Sequence, residues 1–300
     1  NENVWYNVGS GTGDVQPYSF GGTISGYTSG GANPSNSNII EKFSFTSDGD
    51  ATDVGDLTVS RGYGGGQSST THGYQSGGHS PPTNVIDKFS FATDGDATDV
   101  GDLTVARTGC AGQTSVTHGY TSGGGSAKTI DKFTFAADAA ATHVGDMSVV
   151  VTYITGQSSS THGYISGGHG TPVSTNQIEK FSFSSDGNTS NSGVLTAARD
   201  AAAGQSSSTH GYTSGGENSV TVTIDKFTFA SDSDATDVAD LTVARAYTAG
   251  QSSTTHGYTS GGYPPISLNV IDKFSFAAGS NATDVGDMTG TRMNLTGNQV

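Results

Sequence analysis

Cysteine is almost absent from this chain: Cys110 stands alone, which excludes an intrachain disulfide and leaves the redox compartment unread. Bases are nearly as scarce, with 12 Lys and Arg against 27 acids, for a formal charge of −15. Eleven of those bases fall at repeated positions: Lys42, Lys88, Lys132, Lys180, Lys226 and Lys273, with Arg61, Arg107, Arg199, Arg245 and Arg292. Only Lys128 is left over. No basic patch exists to neutralise phosphates, so nucleic-acid binding is not expected, and anionic membrane surfaces are disfavoured for the same reason. No apolar run approaches the ~18–20 residues that a membrane helix needs, so no membrane insertion is expected. The chain opens at Asn1 without a methionine or signal-like segment, as expected of a sequence processed or cut from a longer one.

Glycine, by contrast, is abundant at 45, yet with the 7 prolines it makes up about 17% of the 300 residues. That is below the ~25–30% that marks disordered low-complexity sequence. Much of the glycine belongs to one recurring stretch, Gln251-Ser-Ser-Thr-Thr-His-Gly-Tyr-Thr-Ser-Gly-Gly262. Near copies stand at 67–78, 113–124, 157–168 and 205–216, and a degraded one at 20–31. The Gly-Tyr tyrosines Tyr27, Tyr74, Tyr120, Tyr164, Tyr212 and Tyr258 are spaced by 47, 46, 44, 48 and 46 residues. Such a period lies between the ~40–45 residues of WD40 blades and the ~50 of kelch blades.

Apolar residues alternate within each unit, as in Ile86-Asp-Lys-Phe89-Ser-Phe91, which reads as strand and not helix. In the last unit, strand a is expected near 247–253, strand b at 258–260 and strand c at 270–277. Strand d should cover the Ala-Thr-Asp-Val-Gly-Asp segment and run on to the arginine. Asp48-Gly49 and Asp94-Gly95 between strands c and d are hairpin signals, because glycine tolerates positive φ. Four antiparallel strands repeated six times describe an all-β, six-bladed β-propeller. The units fall at about 18–61, 62–107, 108–151, 152–199, 200–245 and 246–292, after an extension at 1–17 and before a tail at 293–300. An open propeller would leave an unpaired edge. Either the tail closes the ring on the first blade or the 1–15 segment closes it on the last.

Three of these motifs resemble the kelch family. Gly-Tyr-Thr-Ser-Gly-Gly is similar to the kelch strand that ends in a glycine doublet. Ile-Asp-Lys-Phe-Ser-Phe resembles its aromatic third strand, and Leu-Thr-Val-Ala-Arg its closing segment, although Val151 replaces the arginine in the third unit. The resemblance covers roughly 19–292. It departs where kelch repeats carry a tryptophan: here Val54, Val100, Val144, Val238 and Val285 stand, with Ser192 in the fourth unit. Trp5, the sole tryptophan, lies outside the repeats.

The units differ from one another in two places. From the strand-c isoleucine to the next Gly-Tyr tyrosine the distance is always 34, whereas from the glycine doublet to that isoleucine it is 9, 8, 6, 10, 8 and 9. Length variation therefore sits in the b–c loop, and side-chain variation sits just after the arginine, in the d–a loop. In an antiparallel meander both loops emerge on one face. Loops on a rigid scaffold carry function, so Tyr63, His79, Tyr153, His169, Tyr247 and Tyr263 on this face are the candidate binding residues. Tyrosine-rich loops with Gly and Ser suit protein or glycan contact.

Other constellations read as scaffold. His72, His118, His162, His210 and His256 occupy one repeat position in different blades, whereas a metal site needs its ligands around one centre. The Asp-rich turns, such as 48–56, lose their acids in the third and fourth units and lack calcium-loop spacing. Gln67, Gln113, Gln157, Gln205, Gln251 and Gln299 fall on or near strand a and are expected to line the central channel. No phosphate loop or zinc motif is present, Cys110 lacks the setting of a galactose-oxidase-like copper site, and neither a cofactor nor a catalytic residue is expected. Heavy Ser, Thr and Gly use and near-identical repeats resemble propellers of bacteriophage virion appendages and bacterial adhesins. The expected role is a non-enzymatic virion component, a tail fibre or surface adhesin, outside the cell or on the virion. Its partners would be a host glycan or neighbouring virion subunits. A cellular kelch-type scaffold and a carbohydrate-active enzyme are the alternatives.

Overall fold

The computed structural model describes residues 21–79, 81–170, 173–264 and 266–300, and every regular element among them is a strand. Six four-stranded antiparallel sheets form the blades of a β-propeller. Blade 1 contains β1 (Ser25–Ser29), β2 (Ile39–Ser44) and β3 (Thr52–Asp56). Blade 2 is β4 (Gly65–Ser68), β5 (His72–Ser76), β6 (Thr83–Ser90) and β7 (Thr98–Arg107), and blade 3 is β8 (Ala111–Thr114), β9 (His118–Ser122), β10 (Thr129–Thr134) and β11 (Thr142–Asp146). Blade 4 is β12 (Thr155–Ser158), β13 (His162–Ser166), β14 (Gln177–Ser182) and β15 (Ser190–Val194). Blade 5 is β16 (Ala203–Ser206), β17 (His210–Ser214), β18 (Thr223–Thr228) and β19 (Thr236–Asp240). Blade 6 is β20 (Ala249–Ser252), β21 (His256–Ser260), β22 (Val270–Ser275) and β23 (Thr283–Asp287).

The tail closes the ring. β24 (Thr296–Gln299) pairs with β1 as the innermost strand of blade 1, in the register Tyr27↔Asn298. The alternative closure by residues 1–15, like Trp5, lies outside the described residues.

Each innermost strand carries a glycine at its second position, and packing explains it. A Cβ at Gly66 would stand 2.2 Å from the carbonyl oxygen of Gly297 in the preceding blade. The corresponding distance is 2.0 Å for Gly112 against Gly66 and 2.1–2.2 Å at Gly156, Gly204, Gly250 and Gly297. Any side chain there would push the blades apart. Farther out, each strand-b tyrosine packs on an aromatic ring of the following blade. Tyr74 on Phe135 and Tyr164 on Phe229 have centroids 5.0 and 4.7 Å apart, and the other four junctions repeat the contact. Offset aromatic contacts of this kind add to the burial of the ring faces.

A buried ion pair crosses most junctions. Arg61, at the end of blade 1, reaches Asp87 of blade 2 at 3.1 Å, and both side chains are 0% exposed. Its guanidinium also donates to the Gln75 carbonyl at 3.0 Å. Arg107–Asp131, Arg199–Asp225, Arg245–Asp272 and Arg292–Glu41 repeat the clasp. Each acid also accepts from a threonine of the preceding blade, such as the Thr58 amide at 3.0 Å and hydroxyl at 2.6 Å. In five blades strand d stops short of the arginine position, as β23 does at Asp287; β7 alone runs through to Arg107, with Thr104 N–H making the same bond to the next blade from within the strand. The expectation that every strand d continues to the arginine is corrected accordingly.

The junction between blades 3 and 4 differs. Val151 takes the arginine's place and packs with Ile154 and Ile165 in an apolar cluster. Glu179, the matching acid, is held by the Ser148 amide at 3.2 Å and the Thr189 hydroxyl at 2.5 Å, without a guanidinium. Removing one partner of a buried pair leaves an uncompensated charge, at about 3–5 kcal/mol. Asp87→Asn is therefore expected to lower unfolding free energy by about 3 kcal/mol or more, and Glu179→Gln by much less. Urea denaturation of the two variants measures the contrast; equal losses would contradict this account of the junctions.

Candidate functional site

The d–a connections meet around the propeller axis and gather most of the positive-φ non-glycine residues among the described residues. Tyr63, Tyr153, Ala201, Tyr247 and Asn294 all have φ between 53° and 63°, and Gly109 has φ 68°. Positive φ is uncommon for tyrosine and costs conformational energy, so three examples at one place invite a functional question. Hydrogen bonds hold the six residues in a closed circle. Gly109 N donates to Tyr63 O at 2.8 Å, Tyr153 N to Gly109 O at 2.8 Å and Ala201 N to Tyr153 O at 2.8 Å. Tyr247 N then donates to Ala201 O at 2.6 Å, Asn294 N to Tyr247 O at 2.7 Å and Tyr63 N to Asn294 O at 2.9 Å.

Tyrosine and a small residue alternate around this circle, so a sixfold frame carries a threefold decoration. The three rings lean on one another with centroids 5.3, 6.2 and 6.1 Å apart and stand over the channel mouth, half exposed. Beneath them is a cavity of about 70 Å³ whose walls include Cys110, Ile154 and Leu295. Burial pushes the Cys110 thiol up, and the side chain is inaccessible. Burial raises the Tyr63 hydroxyl, and the neighbouring Tyr153 adds to it. Burial likewise raises Tyr247, reinforced by Glu217 beside its hydroxyl.

Between Tyr153 and Tyr247 opens a bay of about 370 Å³, lined also by His169, Ser174, Asp200, Glu217 and Asn218. Ser174 donates its hydroxyl to Asp200 at 2.5 Å, and His169 Nδ1 lies 3.4 Å from Ser174 Oγ and 3.6 Å from Asp200. A nucleophilic relay would set the histidine between serine and carboxylate. Here the carboxylate accepts the serine hydroxyl's hydrogen bond directly, so the imidazole does not stand between the two.

Of the residues expected to form a binding face, Tyr63, Tyr153 and Tyr247 come together, and His169 joins the last two in the bay. His79 lies apart, its carbonyl accepting from Asn36 at 2.9 Å, and Tyr263 is 39% exposed and bridged through its backbone to Ala246. Asp200, Glu217, Ser174 and Asn218 were not singled out from the sequence. The signal for the first two was an acidic residue where the other units have none.

Of the six glutamines expected along the channel, Gln157 and Gln299 are among the residues that line it, while the buried amides are bonded between blades. Gln67, Gln113, Gln157, Gln205 and Gln251 are at most 2% exposed. Gln67 Nε2 donates across the junction to Tyr120 O at 2.9 Å and within its blade to Ser76 Oγ at 2.9 Å. Side chains of an innermost strand alternate between the two flanking blades, so the amides are satisfied there and not on the axis. Asn298, not Gln299, fills this role in the closing strand, donating to Tyr74 O at 3.0 Å. The channel itself, about 140 Å³, is lined largely by glycines and small residues, among them Ser68, Thr114, Ser158, Ser206 and Ser252, with Gln157 and Gln299 also in its wall. Their hydroxyls accept amides of the preceding blade, as Ser158 Oγ does from Thr114 N at 2.9 Å.

No group of three or more His, Cys, Asp or Glu side chains among the described residues could hold a metal ion. Each repeat histidine contacts its preceding threonine hydroxyl through Nδ1 at 2.8 Å. The Asp-rich turns cap the neighbouring blade: Asp96 accepts the Asp56 amide and Asp50 the Asp287 amide, each at 3.0 Å.

Burial, and then a nearby repeat lysine, lowers the pKa of His72, His118, His162, His210 and His256. A depressed histidine favours the folded state while neutral. Its contribution is present above the unfolded value of about 6.5 and lost as pH falls through the lower folded value. Thermal unfolding midpoints should therefore drop on acidification below about pH 6.5, and a variant with glutamine at all five positions should show a flatter profile. An unchanged profile would contradict the assignment.

Comparison with protein-family models and with curated proteins finds no match for this chain.

Proposed function

We propose that this propeller is a non-enzymatic binding module of kelch-like type that engages its ligand with the face carrying the b–c and d–a loops. One observation supports this choice of face above all. Departures from an otherwise near-identical repeat converge there, on three strained tyrosines and the bay beside them. Tyrosine rings supply contact area and a hydroxyl at small entropic cost, and the bay adds hydrogen-bonding groups in a concave setting. The absence of an activated nucleophile in the Ser174–His169–Asp200 group favours binding over catalysis in this bay.

In its finer form the proposal is a bacteriophage virion component, a tail fibre or surface adhesin, presenting this face to a host glycan or a neighbouring virion protein. Its support is compositional: heavy Ser, Thr and Gly use, a single cysteine and a repeat scaffold that restricts diversity to one face. Fold alone does not assign a role, so the test addresses the face directly. On a glycan array, the wild-type signal should fall at least about tenfold in Tyr63→Ala and Tyr153→Ala, since aromatic anchors dominate such contacts. Ser280→Ala, exposed on the opposite face, should leave it unchanged. A signal that survives both tyrosine substitutions would sink this choice of face.

A further inference from the structure

The five other blades act as internal controls for the bay. After the closing position of the preceding blade stand Gly62, Thr108, Thr152, Ala246 and Met293; in blade 5 it is Asp200. After the glycine doublet stand Ala32, His79, Gly125, His169 and Tyr263; in blade 5 it is Glu217. These two departures meet. Asp200 and Glu217 are bridge partners, with Glu217 N donating to Asp200 O at 2.7 Å and Asp200 N to Glu217 O at 3.3 Å. Residues directly opposite in an antiparallel pair project to the same side, and like charges placed so are destabilising. The same bridge in other blades joins Gly62 to His79, Thr152 to His169 and Ala246 to Tyr263, without that conflict.

Among the described residues no lysine or arginine lies within 4.0 Å of either carboxylate, and the only nearby base is His169, 3.6 Å from Asp200. The two acids share a bay with the rings of Tyr153 and Tyr247. Aromatic faces and carboxylates together attract an organic cation. Three further polar side chains, His169, Ser174 and Asn218, offer partners to hydroxyls, and a volume of about 370 Å³ suits a ring better than the tip of a single side chain.

We propose that this bay is a subsite for a sugar ring bearing a free ammonium group, a 2-amino-2-deoxyhexose unit. The proposal rests on the reading of this face as the binding face. The ammonium group enters between Glu217 and the tyrosine rings and relieves the repulsion between the two acids. Ring hydroxyls meet His169, Ser174 and Asn218. Stability is given up in the free protein and recovered when the cation binds.

The test titrates the full chain with a free-amine glucosamine tetramer, its N-acetylated counterpart, a glucose tetramer and trilysine, following heat and the thermal midpoint. The free-amine sugar should bind about tenfold or more tighter than the acetylated one and raise the midpoint. Glu217→Gln should raise the midpoint of the unliganded protein and abolish that preference. Equal binding of acetylated and free-amine sugars would overturn the ammonium subsite while leaving a glycan-binding face standing. Tighter binding of trilysine than of the amino sugar would overturn it in favour of a basic peptide. No saccharide binding, or an amine preference that persists in Glu217→Gln, would likewise overturn it; absence of binding combined with a silent glycan array would remove the parent reading as well.

Discussion

The approach of one innermost strand to the next, with a glycine Cα against the preceding glycine's carbonyl, sets the radius on which everything else in this molecule depends. With blades so close at the axis, there is little room for side chains between them. Hydrogen bonds take over: glutamine amides, serine hydroxyls and, at one mouth, a closed circle of main-chain N–H and C=O groups. Many of the polar groups buried here are matched across junctions, which lets a core with few aliphatic residues form. Farther from the axis, where blades diverge, larger groups fill the wedge: a tyrosine on a phenylalanine, then an arginine locked to a carboxylate.

That division explains why the junction between blades 3 and 4 can differ without breaking the ring. The loss of the arginine at Val151 is accompanied by Ile154 and by Ile165, where Thr121 and Thr213 stand in the neighbouring blades. A polar clasp has been replaced by an apolar one of similar place in the wedge, and substitutions of this kind are tolerated when the buried charge leaves with its partners. Here the acid stayed, as Glu179, retained by serine and threonine donors. The glycine contacts between innermost strands are uniform, and variation is accommodated farther out and in the loops at the channel mouth.

The blade number, strand order and variable face were legible because a 46-residue period leaves few alternatives and the turns punctuate every strand. Less of the site could be read. Tyr63, Tyr153 and Tyr247 stood out as variable residues, but nothing in their spacing says that they touch, since contact arises only when the ring closes. The role of the glutamine amides was not legible, because alternation along a central strand turns them toward a neighbouring blade. Asn298 was overlooked in favour of Gln299 because residue type suggested a match that register denies. Asp200 and Glu217 are 17 positions apart and ordinary in isolation; only the bridge makes them a pair.

The circle of alternating large and small residues has an arithmetic consequence. Strict alternation around a closed loop requires an even count. Loss or gain of one blade would set two bulky rings side by side or leave a gap over the axis, whereas a change by two would preserve the pattern. The mouth of this propeller therefore constrains its circumference: the ornament at one end enforces a parity that the sixfold frame, by itself indifferent to which blade is which, does not.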